Sequence, residues 1–87
     1  MNKLFQNQKV EIRNIDFNIS KLLPKYQCLL TLYTELTLEK IVLACIPRNP
    51  KLVILKGFTR LIILRDQGVE SYLVDIIETD QEFFSDN

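Results

Sequence analysis

The chain has 87 residues, of which 47% are hydrophobic, and its 11 basic and 11 acidic side chains give a net charge of zero. This length supplies one hydrophobic core. Leu, Ile and Val make up a third of the chain, which excludes the composition of a disordered protein. So high an aliphatic content exceeds what one small core covers, and this favours binding to a partner, often a second copy of the chain.

The distribution of polar residues along the chain predicts three regions. We expect residues 1–8 to be a flexible N-terminus, residues 9–84 to form a single globular domain, and residues 85–87 to be an acidic C-terminal end. The first residues lack the apolar run of a signal peptide, and no uncharged apolar stretch approaches the length of about 18 residues that a membrane span needs. We therefore expect a cytoplasmic protein that does not enter a membrane.

Charge is distributed unevenly along the chain. Residues 1–69 hold all 11 bases and five acids, whereas residues 70–87 hold six acids and no base. Within the first part, residues 40–65 contain six bases and no acid. This pattern predicts one basic and one acidic surface with separate electrostatic roles.

The first half of the chain has one clear and one ambiguous pattern. From Lys9 onward apolar and polar residues alternate, which predicts a strand or short hairpin, and a change of phase at Arg13–Asn14 indicates a bulge or turn. The apolar residues of 21–46 fit both the 3.6-residue period of a helix and the two-residue period of a strand. A helix over Lys21–Leu36, with Ser20 as its N-cap, is favoured because no Gly, Asn, Asp or Pro lies between Lys25 and Pro47, but an extended structure remains open.

The second half predicts a hairpin followed by a helix. Lys51–Lys56 and Thr59–Arg65 are apolar runs bracketed by bases and separated by Gly57–Phe58, a pattern typical of two adjacent strands. The apolar residues of 69–84 cluster on one side of a helical wheel, which favours an amphipathic helix. The alternative is a strand over residues 69–78 followed by a loose acidic tail, since Val, Tyr and Ile favour strands.

These elements predict an α+β fold, a small single domain with an antiparallel β-hairpin or sheet and one or two helices. The alternative is an all-β small barrel or meander, because the periodicity of residues 21–46 and 69–84 fits strands nearly as well as helices.

The residue types give no sign of catalysis. The chain has no histidine, its serines lie outside any nucleophile pattern, and Gly57 and Gly68 are too few to build a phosphate-binding loop. Cys28 and Cys45 lack both the CxxC spacing and a histidine that would share a metal, so we interpret them as free thiols in the core. We expect no enzyme activity, no cofactor and no metal.

The acidic end with its aromatic residues predicts a contact with protein. We interpret the chain as a small non-enzymatic protein–protein interaction module, an adaptor or regulator that associates with itself as a homodimer. The acidic segment would cover basic residues of its own chain, of a second copy, or of another protein. The candidate partner-binding residues are Tyr72, Ile76, Glu78, Asp80, Glu82, Phe83 and Phe84.

The alternative function is nucleic-acid binding by the basic stretch, with the acidic C-terminal segment as an autoinhibitor. Clustered cations neutralise phosphates, and a nearby aromatic residue such as Phe58 stacks on bases. Charges at strand ends also guard an edge against aggregation, however. The candidate residues are Lys40, Arg48, Lys51, Lys56, Arg60 and Arg65.

Overall fold

The computed structural model describes residues 3–18, 29–30 and 40–80. Within these ranges five strands form one mixed sheet, and a single α-helix packs on it, which confirms the predicted α+β class. The elements are β1 (Lys3–Glu11), a 3-10 helix (Ile12–Asn14), β2 (Ile15–Asp16), β3 (Val42–Cys45), β4 (Leu52–Lys56), α1 (Phe58–Asp66) and β5 (Ser71–Glu78).

The strand order in the sheet is β1-β5-β3-β4-β2. The first and last of the described strands are neighbours, because β1 pairs antiparallel with β5 and Lys3 lies opposite Glu78. β3 pairs antiparallel with β4 and parallel with β5. The short β2 adds to β4 in parallel, with Ile15 opposite Leu52.

The sheet is curled, because β1 and β2 lie at opposite edges although only Ile12–Asn14 separates them. In a flat sheet, four strand spacings would hold these edges about 19 Å apart. The chain from Glu11 to Ile15 reaches at most about 14 Å. The two edges therefore approach each other at this end, where the Ile12 backbone N–H donates to the Glu70 carbonyl at 2.8 Å. Residues 11–17 are called the crossover segment below.

Each face of the sheet contributes a cluster of buried apolar side chains. The face that includes the helix contact contains Val10, Ile12, Ile15, Ile41, Leu43, Ile54, Val74 and the α1 residue Leu61. The opposite face contains Val42, Ala44, Ile46, Val53, Leu55 and Ile77, which pack with Leu29. Of the helix predicted over Lys21–Leu36, only Leu29 and Leu30 are described, and the rest of that prediction lies outside the described residues.

The predicted hairpin over Lys51–Arg65 is half wrong. Its first half is β4, but the run "TRLIILR" belongs to α1 rather than to a second strand. Gly57 is the N-cap of this helix and has a φ of 95°, in the left-handed region that glycine enters most readily. The antiparallel hairpin is instead formed by β3 and β4, on either side of the turn that includes Pro47–Arg48.

The helix predicted over residues 69–84 is wrong where it is described, because β5 is a strand over Ser71–Glu78. The strand alternative is confirmed for this segment. Residues 81–87 lie outside the described residues. At the other end of the chain, β1 already begins at Lys3, six residues before the alternating pattern that predicted a strand, and the change of phase at Arg13–Asn14 lies in the 3-10 helix.

Candidate functional site

The first candidate site is the β1 edge of the sheet. All residues from Lys3 to Lys9 are exposed, and no strand in the described part of the chain pairs with the outer side of β1. An unpaired edge presents a row of backbone N–H and C=O groups, which is a template for pairing with another chain. This nine-residue edge is long for so small a sheet.

Exposed apolar side chains accompany this edge. Leu4 is 42% exposed, Phe5 41% and Leu73 59%, and all three lie on the adjacent strands β1 and β5. Leu4 lies opposite Ile77, Phe5 opposite Ile76, and Leu73 opposite Lys9. We call Leu4, Phe5 and Leu73 the apolar edge. The fourth large apolar residue that is exposed among the described residues, Ile63 at 50%, lies on α1.

A bulge in β1 interrupts this edge at Gln6–Asn7. The pairing with β5 shifts between Phe5 and Gln8, and Asn7 has a φ of 56°. Opposite the bulge, the Asn7 backbone N–H donates to Oδ1 of Asp75 at 2.9 Å. Asparagine tolerates this left-handed conformation better than most residues.

Asp75 is a buried acid with defined partners. Its side chain is 1% exposed, and the Lys40 ammonium group donates to its Oδ2 at 3.1 Å. A buried carboxylate without partners is strongly unfavourable, whereas one that accepts a charge-assisted and a backbone hydrogen bond is tolerated. Asp75 therefore fixes the bulge of β1 onto the sheet and orients the edge beyond it.

The structure places the predicted partner-binding residues in different environments. Tyr72 and Ile76 are half-buried and pack against the core on the face that α1 covers, while Glu78 and Asp80 are exposed. Glu82, Phe83 and Phe84 lie outside the described residues. The exposed apolar residues Leu4 and Phe5 were missed, because they fall in a segment whose polarity predicted no structure.

The six basic candidates do not share one location. Lys40 pairs with Asp75, Arg48 lies in the β3–β4 turn, and Lys56 and Arg60 lie at the end of β4 and on α1. Lys51 and Arg65 are brought together, since both line a cavity of about 670 Å³ beside the crossover segment.

Around this cavity the aromatic and charged groups are in contact. The Arg65 guanidinium lies 4.7 Å from the centre of the Phe17 ring, a cation–π contact. The ring of Phe17 is tilted against that of Phe58 at 6.5 Å. Arg13, on the 3-10 helix, bonds to the Glu11 carboxylate at 2.8 Å.

The described residues contain neither a metal-binding cluster nor a helix that could span a membrane. Among residues 3–18, 29–30 and 40–80, no group of three acidic or thiol side chains is arranged to hold a metal ion, and no helix has the length and apolarity to cross a membrane. Cys45 is a half-buried free thiol, and Cys28 lies outside these ranges. No family model, no curated protein and no solved structure matches the chain.

Proposed function

We propose that this protein is a small non-enzymatic interaction module, an adaptor or regulator that binds other protein chains and also pairs with itself. The observation that carries the proposal is the β1 edge, which is unpaired among the described strands and lies beside the exposed Leu4, Phe5 and Leu73. The absence of histidine from the chain supports a role without acid–base chemistry.

Strand addition is the binding mode that fits this edge. A partner in extended conformation forms main-chain hydrogen bonds with the open edge, and its alternate side chains contact the apolar residues beside it. Apolar contact supplies the free energy, since burying one leucine or phenylalanine contributes about 1.5–3 kcal/mol. The bulge at Asn7, fixed by Asp75, then limits which partner strands follow the edge in register.

A second copy of the chain can pair with this edge through the same backbone N–H and C=O groups, because an edge strand is complementary to an identical strand. Two identical strands pair antiparallel about a two-fold axis, the commonest symmetry of protein dimers. A dimer formed in this way continues the sheet from one copy into the other. It would also cover the aliphatic surface that the composition predicts to be in excess.

The test is the molar mass in solution, measured by light scattering at two concentrations. We expect the full chain to approach twice its 10.2 kDa mass at the higher concentration. Phe5→Lys places a charge on the edge and should yield a monomer. The matched control is Ile63→Lys, which introduces the same charge at a similarly exposed apolar position on α1 and should leave the dimer intact.

A second measurement separates self-pairing from binding to other proteins. Photo-leucine replaces Leu4, and crosslinked proteins are recovered from an extract of the source cells. A monomeric full chain that crosslinks a protein through position 4 supports the adaptor role without self-association. A monomer that gives no crosslinked protein contradicts the proposal.

A further inference from the structure

The cavity beside the crossover segment is a product of the curled sheet. Its walls come from the crossover segment, from the start of β4 at Lys51, and from the end of α1 and the turn into β5, represented by Arg65 and Glu70. Its volume of about 670 Å³ lies within the range of about 300–1,000 Å³ that small-molecule sites occupy. The cavity lies at the Glu11 end of β1, whereas the exposed Leu4 and Phe5 lie near the other end of the same strand.

Three cations line this cavity, and each comes from a different element. Arg13 belongs to the 3-10 helix, Lys51 precedes β4, and Arg65 lies in the last turn of α1. Their convergence would be unfavourable in a core, but at an open cavity it creates a site for a phosphate or carboxylate group. Only Lys51 and Arg65 belong to the basic stretch that the sequence singled out.

Arg65 is held in position before any ligand arrives. Its guanidinium rests on the ring of Phe17 at 4.7 Å, and that ring is supported by Phe58. Its ion pair with Asp66 is long, at 3.5 Å, between exposed side chains. A guanidinium fixed in this way by an aromatic ring loses less conformational entropy on binding than a free one, and it directs several N–H donors toward an anion.

The cavity also contains two acids, which restrict the chemistry of the ligand. Glu11 is engaged by Arg13, and Glu70 lies beside the crossover segment, where its carbonyl accepts from the Ile12 backbone N–H. These carboxylates repel a plain polyanion but accept hydrogen bonds from hydroxyl or amino groups. The half-buried side chains of Phe17 and Val69 supply the apolar lining against which a flat ring packs, whereas Ile12 and Ile15 are buried in the core.

We propose that this cavity binds a nucleotide. Lys51 and Arg65 bind the phosphate, the base packs against Phe17 and Val69, and Glu70 accepts hydrogen bonds from ribose hydroxyls or from an exocyclic amino group. The same chemistry comes from a free nucleotide or from one residue of a single strand of nucleic acid, and the arms of the test below distinguish these two sources.

The test is a titration of the isotope-labelled full chain, followed by amide NMR at low ionic strength. The probes are the four nucleoside 5′-monophosphates, inorganic phosphate, and a single-stranded decaadenylate RNA, which carries both ribose 2′-hydroxyls and exocyclic amino groups. We expect one or more monophosphates to shift the amide signals of residues 12–17 and 69–70. Lys51→Gln and Arg65→Gln should each weaken binding about tenfold, as the loss of one charge-assisted hydrogen bond implies.

The matched control is Lys3→Gln, which removes the same charge on β1, outside the cavity lining. It should leave the affinity unchanged. Tighter binding of the decaadenylate, with shifts at the same residues, identifies single-stranded nucleic acid as the source, and binding of the monophosphates alone identifies the free nucleotide.

Three results would overturn the proposal. The first is the absence of shifts with every nucleotide at millimolar concentration. The second is equal weakening by Lys3→Gln, which reveals attraction to net charge alone. The third is inorganic phosphate binding as tightly as the nucleotides, because the apolar wall and Glu70 would then contribute nothing. The amide spectrum of each variant verifies its fold, and the titration does not depend on whether β1 pairs with another chain.

Discussion

The side-chain carboxylate of Asp75 accepts a hydrogen bond from the backbone N–H of Asn7, 68 residues away in the chain, at 2.9 Å. The other oxygen of the same carboxylate accepts from the Lys40 ammonium group. One buried acid on β5 therefore connects the bulge of β1 with Lys40, two residues before the start of β3. This arrangement makes Asp75 the polar group on which the position of the edge strand depends.

Asp75→Ala should lower the free energy of unfolding by about 3 kcal/mol, because the Asn7 amide and the Lys40 ammonium lose their buried acceptor. Urea denaturation measures this change. The control is Asp66→Ala, which breaks an exposed pair with Arg65 and should change the free energy of unfolding by less than about 0.5 kcal/mol. Equal destabilisation by the two substitutions would contradict the role assigned to Asp75.

Gly57→Ala should destabilise the protein by about 2–3 kcal/mol through strain and overpacking. Its φ of 95° is unfavourable for alanine, and an added Cβ would lie 2.9 Å from Cγ1 of Ile41. Gly68→Ala has comparable left-handed geometry but no atom within 4 Å of the added Cβ, so its cost should be only about 1–2 kcal/mol. The difference between the two denaturation midpoints isolates the contact with Ile41, and identical midpoints would refute it.

Leu73→Ser should leave the free energy of unfolding within about 0.5 kcal/mol of its original value, because this side chain is mostly exposed. Its effect should be on association, where the loss of one buried leucine weakens the dimer about tenfold or more. The neighbouring Val74→Ala removes buried methyl groups and should instead destabilise the fold by about 2 kcal/mol. Light scattering and urea denaturation on both variants give the comparison. A loss of folding stability in Leu73→Ser would show that this residue belongs to the core.

The α+β class and the strand β4 could be predicted from the sequence, since apolar runs bracketed by charges carry that information. The run "TRLIILR" could not be assigned correctly, because its isoleucines favour strands in isolation. Gly57 starts a helix there, and the burial of Leu61 beneath the sheet face stabilises it. Tertiary packing overrides local propensity in this segment.

Asp75 is the reason why the sequence pattern did not favour the strand β5. An acid on an apolar face of a strand contradicts simple alternation, and it favoured the helical interpretation of residues 69–84. The compensating groups lie on Lys40 and Asn7, far away in sequence, so no local pattern could reveal them. The cavity was missed for the same reason: Arg13 and Glu70 join Lys51 and Arg65 only because the sheet curls.

The position of β5 between β1 and β3 also determines when the sheet can be completed during synthesis. Within this sheet β1 is synthesised first, and among the described strands it has no neighbour until β5 has emerged, because its antiparallel partner ends at Glu78. Until then β1 and β3 each carry an open edge, which is the condition under which chains associate wrongly. The completion of this sheet therefore requires synthesis through Glu78, and contacts of such long sequence separation favour slow folding.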